Sequence, residues 1–65
     1  MHVSGTIVKE LRENAGLSLG DLARQASLSR SYISEIENGI KVDPSPPVCA
    51  RLAKALGCAI VDLRG

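Results

Sequence analysis

The chain has 65 residues, a formal net charge of +1, and a composition with one tyrosine but no phenylalanine or tryptophan. A chain this short forms one domain, residues 1–65, and buries only about 60% of its unfolded surface, which leaves no room for an enzyme's lid or a second module. The nearly neutral charge argues against a strongly basic protein that binds nucleic acid by bulk attraction alone.

The first predicted helix covers residues 6–15, where Val8, Leu11 and Ala15 fall on one stripe at helical spacing. Gly16 follows at the position where glycine most often ends a helix. A core restricted to leucine, isoleucine, valine and alanine favours small, closely packed helices. We therefore expect an all-α bundle of four to five helices.

Two short amphipathic helices are predicted next, over residues 19–26 and 30–37, with a three-residue turn between them. One apolar face is formed in the first of them by Leu22, Ala23 and Ala26, and another in the second by Ile33 and Ile36. Ala23 is small enough to let two steeply crossing helices approach each other closely. Both faces are expected to point towards one core.

Serines mark where these two helices begin. Ser18 and Ser29 are suitable N-caps, because a serine hydroxyl can accept a hydrogen bond from an unpaired N–H group of the first turn. Asp21, three residues after Ser18, completes a capping box in its acidic form. The apolar Leu28 is expected to plug the turn between the helices.

A fourth helix is predicted after a loop over residues 40–44. Ser45 can cap it, and the two prolines that follow Ser45 fit its first turn because backbone donors there are unpaired in any case. Its apolar face is formed by Val48, Cys49, Leu52, Ala53 and Leu56. Gly57 is expected to end this helix, and residues 60–63 to form a short fifth one.

Cys49 and Cys58 have no histidine, cysteine or carboxylate cluster near them at metal-ligand spacing. We expect two buried free thiols, and neither a metal nor another cofactor. The sequence has no signal peptide and no apolar run of about 18 residues, which predicts a cytoplasmic protein without a membrane partner. His2, on an N-terminus expected to be untethered, carries no functional signal.

Short motifs at fixed spacing follow one another along nearly the whole chain. They are Leu11-Arg12-Glu13, Gly16-Leu17-Ser18, Leu22-Ala23, residues 29–39, Pro44 and Ala53-Lys54-Ala55-Leu56-Gly57. This pattern resembles the Cro and phage-repressor type of helix-turn-helix domain, the Xre-like family. The resemblance implies a bacterial or phage-encoded protein that is not an enzyme, binds double-stranded DNA and is associated with the nucleoid.

The resemblance also implies that the third helix, about residues 29–38, enters the major groove with its outward side chains towards base edges. Four polar residues lie outward of the apolar stripe and are the expected base contacts: Arg30, Ser31, Ser34 and Glu35. Arg30 can donate two hydrogen bonds to guanine, and Glu35 can accept one from a cytosine amino group. The alternative is an ordinary solvated helix face.

Phosphate contacts are expected from the start of the second helix, through backbone N–H groups, and from the rim of the third. These residues are Ser18, Leu19, Ser29, Tyr32, Asn38 and Lys41. Tyr32 has an alternative place, flat over the core. Arg24, Arg51 and Lys54 are expected only to keep their helices solvated.

In the family that the chain resembles, the positions of Arg12 and Glu37 commonly hold a partly buried salt bridge, which implies the same structural pair here. Two positions depart from the family pattern. Leu19 and Gly20 stand where a phosphate-binding glutamine commonly opens the second helix, so that side-chain contact is lost. Ser27 stands where the turn commonly has glycine, so either Ser27 is left-handed, at a cost of about 1–2 kcal/mol, or the turn is built differently.

The expected function is that of a sequence-specific transcriptional regulator that binds a palindromic operator as a homodimer. A Cro-like repressor, an antitoxin that represses its own operon and a restriction-modification controller all fit. The alternative is a helical module that binds a protein partner, such as a toxin or polymerase, through a nearly neutral surface.

The loop before the fourth helix and the C-terminal segment supply the expected dimer contact. It comprises Ile40, Val42, Pro44, Ile60, Val61 and Leu63. We expect the dimer to be weak in solution and to strengthen on DNA, where two half-sites raise the effective concentration. In the alternative, Ile60 and Leu63 cap the core while Ile40 and Val42 are isolated surface residues.

Overall fold

Four serines precede the four α-helices in the computed structural model, which describes residues 1–64. The helices are α1 (Gly5–Asn14), α2 (Leu19–Ala26), α3 (Arg30–Glu37) and α4 (Pro46–Leu56), followed by a 3₁₀ helix over Ile60–Arg64. The described part of the chain contains helices and loops and no strand. The prediction of an all-α bundle is therefore confirmed.

The N-caps explain most of the helix bounds. The hydroxyls of Ser4, Ser18 and Ser29 each accept a hydrogen bond from a first-turn N–H group. Ser45 occupies the N-cap of α4 but its side chain makes no capping bond. Two of the first residues of α4 are prolines, which have no N–H group to cap.

The first helix differs from its prediction by one residue at each end. It begins at Gly5 because Ser4, for which no capping role was predicted, is its N-cap. It ends at Asn14, with Ala15 as the C-cap and Gly16 in the left-handed region at φ 72°. Ala15 consequently lies exposed beyond the helix and does not join the apolar stripe.

The core joins the predicted apolar faces of all four helices. Its buried members are Val3, Val8, Leu22, Ala23, Ala26, Ile33, Ile36, Cys49, Leu52, Ala53, Leu56 and Leu63. The faces predicted for α2 and α3 are buried completely, and most of the α4 face is buried with them. Val3 and Leu63, at the two ends of the chain, close the core.

The N-terminal segment is tied down, which corrects the expectation of an untethered N-terminus. The Val3 N–H group donates to the Val42 carbonyl oxygen at 2.9 Å, and that of Ser4 donates to the Leu63 carbonyl oxygen at 2.8 Å. The N-terminal amine forms an ion pair with Asp43. The start of the chain thus holds both the loop before α4 and the C-terminal 3₁₀ helix.

The two thiols differ in exposure. Cys49 is free and buried, as predicted, with its Sγ 3.6 Å from the Pro44 carbonyl oxygen. Cys58 is also free but only half-buried, because it follows Gly57 at the edge of the core. No helix in residues 1–64 is both long enough and apolar enough to cross a membrane.

Candidate nucleic-acid interface

The start of α2 is fixed by a reciprocal pair of hydrogen bonds. Ser18 Oγ accepts from the Asp21 N–H group, and Asp21 Oδ2 accepts from the Ser18 N–H group, both at 3.0 Å. These bonds and the neighbouring Arg24 guanidinium hold the pKa of Asp21 below its usual value. The predicted capping box is therefore present.

The capping box changes the expected phosphate contact at this end. The Ser18 N–H group already donates to Asp21, so it is not free to meet a phosphate. Within residues 1–64, the N–H groups of Leu19 and Gly20 have no backbone acceptor, because they open the helix. The free backbone donors are thus one residue further along than the sequence predicted.

The turn between α2 and α3 adopts the first of the two alternatives for Ser27, which is left-handed at φ 56° and ψ 44°. The Leu28 N–H group donates to the Ala23 carbonyl oxygen at 2.8 Å, and this bond closes the turn. Arg51, predicted only to keep α4 solvated, donates from Nε to the Ala26 carbonyl oxygen at 3.0 Å. Its role in the turn was missed because its acceptor is far along the chain.

The outward face of α3 carries the four predicted base-contacting residues. Arg30 and Ser31 are exposed, whereas Ser34 and Glu35 are half-buried. The Ser34 hydroxyl accepts a hydrogen bond from Asn38 Nδ2 at 3.2 Å. These side chains share one surface, which we call the α3 face, opposite the fully buried Ile33 and Ile36.

The rim residues surround the α3 face unevenly. Ser29, Asn38 and Lys41 are exposed, as a phosphate contact requires. The Lys41 N–H group donates to the Glu35 carbonyl oxygen at 3.1 Å, so the backbone at Lys41 is held against the end of α3. Tyr32 is half-buried and packs against the core.

One ion pair fixes the far end of α3. Arg12 donates from Nε to Glu37 Oε2 at 2.7 Å and from Nη2 to Glu37 Oε1 at 3.2 Å. The side chains are only 11% and 7% exposed, and the hydrogen bonding to Glu37 raises the pKa of Arg12. Arg12 also donates from Nη1 to the Leu17 carbonyl oxygen at 2.8 Å, which ties in the loop that leads to α2.

Gly5 makes a close contact with the same end of α3 that the sequence did not reveal. A Cβ at Gly5 would lie 2.2 Å from the Ile36 carbonyl oxygen and 2.7 Å from the Glu37 carbonyl oxygen. Only glycine allows this approach of the two backbones. The sequence gives no local signal for this contact, because Ile36 lies far from Gly5 along the chain.

Four apolar side chains of the loop before α4 and of the 3₁₀ helix are exposed. Ile40 is 68% exposed and Val61 62%, and Val42 and Ile60 are exposed to a lesser degree. We call these four residues the apolar patch. Pro44 and Leu63, expected in a dimer contact with them, are buried within the chain instead, and Leu63 is a member of the core, as the alternative expected. Neither residue is exposed to a second copy, so only the four exposed residues remain candidates for that contact.

The sequence matches the helix-turn-helix family over residues 8–63. It is 38% identical over 56 residues to the HTH-type transcriptional regulator DdrOP3 of Deinococcus deserti, covering 86% of this chain and 43% of that protein. The curated relatives are longer, and the chain spans between 36% and 53% of their length.

Solved structures agree with this match. The restriction-modification controller protein C.AhdI of Aeromonas hydrophila is 36% identical, with a TM-score of 0.85 over 91% of this chain and 88% of that one. The biofilm regulator SinR, solved in complex with DNA, is 30% identical, with a TM-score of 0.87 over 91% of this chain and 94% of that one. The relatives are regulators rather than enzymes, as the sequence predicted. The chain belongs to the Xre/Cro-like helix-turn-helix family.

Proposed function

We propose that this chain is a transcriptional regulator that binds double-stranded DNA in a sequence-specific manner, with α3 in the major groove. The observation that carries the proposal is the polar α3 face, with Arg30 and Ser31 exposed at its start. The left-handed turn at Ser27 holds one end of α3 and the Arg12–Glu37 ion pair holds the other. The likeness to SinR, solved in complex with DNA, supports it.

On the α3 face, Arg30 and Ser31 are the most accessible base-reading candidates, and Ser34 and Glu35 follow them along the helix. Arginine reads guanine through two parallel hydrogen bonds, and a carboxylate reads the cytosine amino group. The free N–H groups at the start of α2 are the proposed phosphate contacts, together with the exposed residues Ser29, Asn38 and Lys41. The Tyr32 hydroxyl is a further candidate.

We further propose that the protein acts as a homodimer on a palindrome, with half-sites about 10 bp apart. The apolar patch is the contact we assign to the second copy. Four side chains bury little area, so the dimer is weak alone and strengthens on DNA. Val42→Glu should leave the circular dichroism spectrum intact and abolish cooperative operator binding, whereas unchanged cooperativity would place the contact elsewhere.

A second candidate function is binding of a protein partner through the same fold. The relative SinR has also been solved in a complex with SinI protein, and the present chain has a net charge of only +1. Electrophoretic mobility shift at two salt concentrations separates the two functions. DNA binding releases counterions and weakens steeply with salt, whereas failure to bind DNA at low salt would favour the protein-binding module.

We propose that the protein acts in the bacterial cytoplasm, at the nucleoid, because its proposed function requires access to DNA. A Cro-like repressor, an autorepressing antitoxin and a restriction-modification controller share the mode of binding proposed here. C.AhdI is a controller of the last kind. Selection from random DNA gives the binding site, and the position of that site in the source genome distinguishes the three kinds of regulator. A controller's operator lies before restriction-modification genes.

A further inference from the structure

The side chain of Arg30, the first residue of α3, lies across the first turn of α2. A Cβ built at Gly20 would be 3.7 Å from Arg30 Cδ and 3.7 Å from Arg30 Nε, and 3.8 Å from Ser18 Oγ. Gly20 is the second residue of α2 and has no side chain to occupy this space. The Arg30 stem therefore rests beside bare α2 backbone.

The guanidinium of Arg30 has no partner among residues 1–64. It takes part in none of the hydrogen bonds or ion pairs of that part of the chain, and the residue is exposed. An arginine side chain has five N–H donors in a planar fork, and all of them remain available here. Because Gly20 carries no side chain, α2 offers no acceptor at this point to compete for the fork.

We infer that the absence of a side chain at Gly20 leaves the Arg30 fork free for a base, so that the residue at position 20 determines how strongly α3 discriminates at the base pair that Arg30 meets. This inference rests on the proposed DNA-binding function. A glutamate at position 20 would place a carboxylate within reach of the Arg30 guanidinium, and an ion pair between them would draw the fork away from the guanine. Alanine would fill the space at ordinary van der Waals distance and leave Arg30 in place.

The experiment compares Gly20→Ala, Gly20→Gln and Gly20→Glu with the unmodified chain. Two operators are compared: the selected one, and one altered at the base pair for which Arg30→Ala loses its preference. The readout is the ratio of the affinities for these two operators. Gly20→Glu should lower this ratio about ten-fold, which corresponds to loss of one bidentate contact. Gly20→Ala should keep it, and Gly20→Gln should reduce it less than Gly20→Glu.

Gln25→Glu is the matched control, because Gln25 is an exposed residue of the same helix and the substitution adds the same charge. Added charge weakens binding to all sequences alike and cancels in the ratio. In the Arg30→Ala background, Gly20→Glu should no longer change the ratio. An unchanged ratio in Gly20→Glu, or an equal drop in the Arg30→Ala background, would overturn the inference.

A measurement without DNA separates this inference from the proposed function. In the free protein, the NMR signal of the Arg30 Nε–H group should shift in Gly20→Glu and stay in place in Gln25→Glu. Thermal unfolding of each variant verifies the fold. If that signal shifts but the unmodified chain selects no DNA sequence, the proposed function fails and Gly20 loses its role in discrimination. If sequences are selected and the signal does not move, only the inference fails.

Discussion

Arg12 and Glu37 are joined by two hydrogen bonds, and Arg12 also donates from Nη1 to the Leu17 carbonyl oxygen. One side chain thereby connects α1, the loop before α2 and the end of α3. Both partners are nearly buried, so removal of one leaves the charge of the other with little access to water.

Removal of one partner should therefore be costly. Arg12→Ala is expected to lower the free energy of unfolding by about 3 kcal/mol, because it leaves the Glu37 carboxylate buried without a counter-charge. Urea unfolding measures the loss. Arg24→Ala is the control, since the exposed Arg24–Asp21 pair should contribute little to stability. Equal losses in the two variants would show that the Arg12–Glu37 pair stabilises the fold no more than an exposed ion pair does.

The close approach of Gly5 to α3 makes a second prediction. In Gly5→Ala the new methyl group would overlap the Ile36 carbonyl oxygen, so α1 and α3 must move apart. We expect a loss of about 1–3 kcal/mol in urea unfolding, the usual cost of overpacking. Gly20→Ala, where a Cβ has room, should not be destabilising. Full stability in Gly5→Ala would contradict the observed backbone contact.

The capping box at Asp21 makes stability depend on pH in the acid range. Its folded pKa is lowered by the bonds to Ser18, so the stabilisation is present above the unfolded value of about 3.9 and is lost as pH falls through the folded value. The difference in unfolding free energy between the wild type and Asp21→Asn should shrink as the pH is lowered from about 5 towards 2.5. A difference that is constant with pH would mean that the charge contributes nothing.

The thiols should react in a fixed order. Burial raises the pKa of Cys49 and also that of Cys58, which lowers the reactive thiolate fraction of each. Cys58 is partly accessible, so it should be alkylated in the native state, whereas Cys49 should be alkylated only after the protein unfolds. Mass spectrometry of a time course, with Cys58→Ala as the control, follows both. Rapid native labelling of Cys49 would show that the core opens locally.

Local chemistry explains how much of this fold could be predicted. The bounds of α2 and α3 agree with their predictions because a serine cap and a turn mark each helix within a few residues. Gly5 and Arg51 escaped prediction because their partners lie far along the chain. The burial of Leu63 was expected only as an alternative for the same reason, since its core neighbours come from earlier in the chain.

In the candidate site, too, features set by nearby residues could be predicted and features set by distant residues could not. The outward positions on α3 follow from helical periodicity, which depends on neighbouring residues alone. The occupied N–H group of Ser18 could have been deduced, because a capping box uses that donor. The position of the Arg30 side chain over Gly20 could not, because it depends on how α2 and α3 cross.

Selection of binding sites from random double-stranded DNA tests the central claim most directly. The wild type should enrich a palindrome with two half-sites about 10 bp apart, and Arg30→Ala should lose preference at one base pair of each half-site, at a cost of about 1–3 kcal/mol. Lys41→Ala should weaken binding to all sequences alike and leave the motif unchanged. Failure of the wild type to enrich any motif, or an Arg30→Ala motif identical to that of the wild type, would contradict the assignment of α3 as the reading helix.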